Sequence, residues 1–267
     1  MEFDRRTRNR PTVISFAPVL VANLLPLGGV LWFDWRIGEV LAIYWIEVAV
    51  MLLAYSGAAL FAERRIVLEG RNLFLPGVSR GKELSESRWG DNPTTINLGR
   101  SIPPIYPRNI RIVVMSVVWG LGFLLLPLGS FGLFPVVESI VSPSLIAAVL
   151  ATIGSHLVEL RREFFATKRY QELSAHMVLE IPCRVVFFAI VFLAFGTLVG
   201  GFFCFLIVNI VREVFGVVPT RGTLEFLFVT GVVLGKLVVE WSRFRAENDP
   251  EPSGFASWFV PFDPRSE

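Results

Sequence analysis

The sequence predicts an all-α fold, a polytopic bundle of transmembrane helices with about six spans and both termini in the cytoplasm. Three observations carry this. Of the 267 residues, 53% are hydrophobic and 18% charged, and the mean hydropathy of +0.59 takes the chain out of the ordinary soluble class. The apolar residues are clustered in runs of about 20, enough at about 1.5 Å per residue to cross about 30 Å of hydrocarbon. Lysine and arginine fall almost wholly on one side of those runs.

The spans are read as 12–33, 38–61, 110–132, 143–160, 185–208 and 222–241. Lipid offers no partner to a backbone amide, and the runs lack the two-residue alternation of a barrel strand, so each is a helix. The first is retained rather than cleaved as a signal peptide, because its apolar stretch is too long and no small-residue cleavage site precedes Asp34-Trp35-Arg36. Pro18 and Pro26 interrupt this span, and Pro26 deprives a carbonyl near Ala22 and Asn23 of its usual donor. Gly28-Gly29 permits close helix approach there. Cys183 and Cys204 lie near opposite ends of the fifth span, about 30 Å apart at helical rise, too far to pair.

Orientation follows from the basic residues. Arg5, Arg6, Arg8 and Arg10 precede the first span, and nine Lys and Arg from Arg64 to Arg111 follow the second. Arg161, Arg162, Lys168, Arg169 and Arg184 separate the fourth and fifth, and Arg243, Arg245 and Arg265 follow the sixth. The opposite side has only Arg36, Arg212 and Arg221. By the positive-inside rule the rich side is cytoplasmic. The net charge of +2 is then a topology signal and a surface for anionic head groups of membrane lipids, not a nucleic-acid footprint.

Residues 1–245 read as one integral membrane domain and 246–267 as a C-terminal tail. The cytoplasmic loop 63–109 is too short and polar for a domain of its own. Within it "IPPIYPRN" is expected to be extended, with Tyr106 and Arg108 at the interface. The link 161–184 has Tyr170, Leu173, Met177 and Val178 on one side and reads as a helix lying along the membrane surface. In the tail Phe255, Trp258, Phe259 and Phe262 are costly to leave in water and are expected to dock on the cytoplasmic face.

Polar residues inside spans are the strongest functional pointers, since a charge near the bilayer centre costs at least a few kcal/mol. Counting inward from each end puts Asn23 and Glu47 near the midplane, where they predict a polar nook between the first two spans. Glu47 would act there as a proton carrier or as a ligand for a cation or an amine. The architectural reading makes it a protonated carboxyl bonded to Asn23 or to a freed carbonyl. His156, Glu159, Arg184 and Lys236 fall in the cytoplasmic third, with His156 and Glu159 three apart on one helix face. They suit an anion-binding or catalytic pocket, while snorkelling or a Lys236–Glu159 pair is the architectural alternative.

No nucleophile elbow, metalloprotease, P-loop, dinucleotide or C-x-x-C pattern is present, so the sequence leans away from an enzyme and predicts no cofactor and no metal. The segments "ANLLPLGGVLWFDW", "YWIE", "PPIYPRN", "GSHLVE", "RYQELSAHMVLEIPCR" and "GKLVVEWSRFRAE" do, however, together resemble a family. It is an uncharacterised group of prokaryotic, mainly haloarchaeal, multi-pass membrane proteins, domain of unknown function 6498, and the likeness covers nearly the whole chain. The family pattern would fall on Asn23, Pro26, Gly29, Tyr44, Trp45, Glu47, His156, Arg184 and Lys236. The resemblance implies an archaeal cell membrane and six helices, and it supplies no activity. Histidines found in the third span of some members are missing from "NIRIVVMSVVWGLGFLLLPLG", against a haem or metal role.

The expected function is therefore a small transporter or channel, with Asn23 and Glu47 at a midplane site and His156, Arg184 and Lys236 forming a gate or second site. A non-enzymatic component that binds lipid, a protein partner or a second copy of the chain is the alternative. A membrane enzyme acting on lipid head groups comes third.

Overall fold

The computed structural model describes residues 13–32, 37–67, 75, 94–97, 99, 102–130, 143–217, 220–249 and 251–261. Among them the regular structure is helical. The long helices are α1 (Val13–Trp32), α2 (Ile37–Ala59), α3 (Ile110–Ser130), α4 (Pro143–Leu160), α5 (Ala175–Phe215) and α6 (Arg221–Asn248). Among the described residues three segments, Glu39–Ala59, Pro107–Leu126 and Gly222–Ala246, are long and apolar enough to cross a membrane.

The chain divides into two compact units, 1–42 with 188–260, and 43–187 with 261–267. In the first, α1 packs on α6 through an aromatic clasp: the Phe16 ring lies 5.0 Å from Trp241 and 5.4 Å from Phe244. α1 remains helical through Pro18 and Pro26. The fixed φ of proline already suits a helix, and the loss is one hydrogen bond rather than the element. Gly216 at φ 66° ends α5, its N–H bonded to the Arg212 carbonyl, and Thr220 caps the start of α6 by accepting from the Thr223 N–H. The aromatic tail forms a short turn, Gly254–Phe259, that packs on α6. Phe255, Trp258 and Phe259 all meet the Phe188 ring, at 4.9, 6.1 and 5.6 Å, as docking requires. Phe262 lies outside the described residues.

In the second unit α2 and α3 run side by side. Gly120 brings α3 so close that a β-carbon there would sit 2.5 Å from a Leu52 methyl, and the Trp45 indole donates to the Leu124 carbonyl. Asn109 closes the other end of the pair. Its amide donates to the carbonyls of Ala59 and Ala62, both at 2.9 Å, supplying donors to the end of α2. The core gathers here, from Ala58 and Ala59 of α2, Ile112 and Val113 of α3, Leu160 of α4 and Leu179 of α5.

The link 161–184 is not a surface helix. A π-helical turn, Arg161–Phe165, prolongs α4, Lys168 reverses the chain in the left-handed region at φ 56°, and a 3-10 turn, Arg169–Gln171, follows. α5 then starts at Ala175, ten residues before the expected span, so Met177 and Val178 are core residues. Their apolar side is answered by protein, which removes the reason to lie on a membrane. "IPPIYPRN" is extended at Tyr106 as expected but turns into a 3-10 helix at Pro107–Asn109, and Tyr106 is buried. Burial, reinforced by the nearby Glu63 charge, pushes the Tyr106 hydroxyl pKa up.

Candidate functional site

In the first unit the polar focus is the α1–α6 pair. α6 runs to Asn248 rather than ending near 241, so Lys236 stands near the middle of the apolar stretch Gly222–Ala246 and not one turn from its end. Asn23 stands at mid-length of α1 and is buried. The Lys236 ammonium donates to the Asn23 side-chain oxygen, across 213 positions of sequence. Below them Arg243, itself buried, pairs with Glu240 one turn earlier at 3.3 Å.

The second unit holds the remaining expected residues. Glu47 is half-buried in the middle of the apolar stretch Glu39–Ala59. The hydrogen bond described for Asn23 comes from Lys236, and Glu47 belongs to the other unit. His156 and Glu159 do share a face, with Nδ1 and Oε2 3.4 Å apart. Tyr55 of α2 donates to the other oxygen of Glu159, also at 3.4 Å, so this carboxylate ties α4 to α2.

Arg184 pairs with Glu180, and this pair with His176 is what the sequence reading missed. His176, Glu180 and Arg184 recur every four residues along one face of α5, and the first two are 0% and 2% exposed. The spacing is visible in "HMVLEIPCR", but the polar residues of a surface helix need no explanation. Only the early start of α5 makes them core residues. Pro182 lies between Glu180 and Arg184, so the ion pair bridges the turn where the proline removes a backbone donor. Beside it burial pushes the Cys183 thiol up to about 12, with the Ser116 hydroxyl pulling it back slightly.

These groups suit electrostatic and proton chemistry: an ammonium against an amide, a histidine–carboxylate pair, a buried ion pair and a carboxylate in an apolar helix. Among the described residues no group of three or more His, Cys, Asp or Glu side chains gathers as metal ligands would.

Residues 5–254 match a family described as "Family of unknown function (DUF6498)". No curated protein and no solved structure matches the chain.

Proposed function

The chain belongs to the DUF6498 family, and from its own residues we propose that it is a six-span integral protein of the archaeal cell membrane, both termini cytoplasmic, working as a small transporter or channel. The observation that carries this reading is the Lys236–Asn23 contact at mid-length of two apolar helices. An ionisable side chain at bilayer depth is costly, and such groups mark solute and proton pathways. Helix association alone would be served as well by two neutral polar groups, so the ammonium adds something that packing does not require. Glu47, in the middle of its own apolar stretch in α2, supplies a carboxylate able to carry a proton or bind a cation or an amine.

Proton flux into liposomes reported by an entrapped pH dye tests this. Wild type should exceed empty liposomes, and Lys236→Met or Glu47→Gln should lose at least about tenfold of that flux while Tm stays within a few degrees. Flux equal in wild type and both variants, or equal to that of empty liposomes, overturns it.

A second reading, a membrane component that binds lipid or a partner protein, is favoured by the exposed basic residues that follow α2 and α4. A stoichiometric partner retained through purification would support it over transport.

A further inference from the structure

Three stretches far apart in sequence meet at one end of the second unit. The Glu63 N–H donates to the Tyr170 carbonyl at 2.8 Å, the Arg64 N–H to Leu173 at 3.2 Å and the Tyr106 N–H to Leu60 at 2.9 Å. Arg108 donates to the Glu63 carbonyl, with its guanidinium carbon 5.1 Å from the Tyr106 ring centre. The ends of α2 and α4 and the starts of α3 and α5 are thereby held on one platform. Its charge is lopsided. Arg65 and Arg111 are exposed, and although Glu63 offsets part of the charge at Arg108, Arg65 lies near enough to Arg108 for the two to repel. Folding gains nothing from assembling like charges, whereas an anion does.

Exposed isoleucines stand beside these arginines. Ile96 and Ile105 exchange both backbone hydrogen bonds at 2.9 Å as an antiparallel pair, and this fixes the segment leading into α3. Ile96, Ile102 and Ile110 are 48%, 49% and 45% exposed. Pro107 opens one of the three stretches able to cross a membrane, so the residues just before it lie where α3 would meet the membrane surface. Basic heads next to exposed apolar side chains at that level form an interfacial composition.

We infer that this platform binds anionic lipid head groups. Arg65, Arg108 and Arg111 take the phosphate, for which the planar guanidinium fork is suited, while Ile96, Ile102 and Ile110 enter the boundary between head groups and acyl chains. The inference rests on the membrane reading above and not on transport.

The test is the Tm of the full chain purified in dodecyl maltoside and supplemented with dioleoylphosphatidylglycerol, dioleoylphosphatidylcholine or inorganic phosphate. The glycerol lipid alone should raise Tm by a few degrees. Arg65→Gln with Arg111→Gln should lose most of that rise while matching wild type in the choline lipid. Ile96→Asn with Ile102→Asn should reduce the rise without changing any charge, and decides the matter should the arginine variant fail to fold. An equal rise with the choline lipid, a rise reproduced by inorganic phosphate, or a full rise in both variants overturns the inference. Alkaline extraction of cell membranes separates the two levels. Wild type released into the supernatant sinks the membrane reading itself, while wild type retained but indifferent to the glycerol lipid sinks only the head-group surface.

Discussion

Along α5, residues 175–186 are buried on nearly every side, His176 and Leu179 completely, whereas Phe202, Phe203, Phe205, Ile210 and Val214 are each more than half exposed. One continuous helix thus hides its charges and shows its phenylalanines. Water would sort the two segments the other way, because exposing apolar area costs about 25 cal/mol per Å² and an unpaired buried charge costs more. The arrangement fits the proposed bilayer, in which apolar side chains face lipid and ionisable ones face protein. Glu180 and Arg184 are tolerable in the buried segment because each satisfies the other.

The largest expected effect comes from breaking that pair. Glu180→Ala removes the buried carboxylate that Arg184 pairs with and should cost about 3 to 5 kcal/mol in detergent-solubilised unfolding measurements. Replacing both with methionine should be close to neutral, since a buried pair returns little beyond its own desolvation. A single variant as stable as wild type would mean that Arg184 reaches water, and the contrast between the two segments would lose its electrostatic half.

A smaller effect sharpens the apolar half. Leu179→Ala should cost about 3 kcal/mol, because packed neighbours cannot fully close the space. Phe205→Ala removes a larger side chain from the exposed segment and should stay within about 0.5 kcal/mol in the same detergent. Equal losses would show that the 202–214 surface is covered by something other than lipid or detergent.

The six apolar runs locate the long helices to within a few residues for α1 to α4, because length and composition are local properties. What depends on partners is not legible. The burial of His176 and Glu180 is set by the core around Leu160 and Ile112, and nothing in "HMVLEIPCR" announces that core. Lys236 finds Asn23 across 213 positions, and Asn109 reaches the end of α2 across 50. The aromatic tail was readable for the opposite reason. Three rings within five residues are too costly in water to go undocked, whatever they dock on. Of the candidate residues, the His156–Glu159 and Glu180–Arg184 pairings are local in spacing, while the burial of Glu180 and the partner of Lys236 required the fold.

The buried segment should also show a pH dependence. The Cys183 thiol, ordinarily near 9.0, is pushed up to about 12 by burial, so the folded chain holds that proton where the unfolded chain releases it. The sign follows from proton counting. Below pH 9 both states are protonated and the thiol contributes its full share. As pH rises from about 9 towards 12 the unfolded state alone ionises, and stability falls by up to about 1.4 kcal/mol per pH unit. Between pH 8 and 11 the Tm of wild type should therefore drop more steeply than that of Cys183→Ala. Parallel curves would mean that the thiol is open to solvent, in which case the buried half of α5 is looser than its neighbours imply. Maleimide labelling near pH 8 gives the same answer by rate: Cys183 should react far more slowly in the folded protein than after denaturation, because both access and thiolate are withheld.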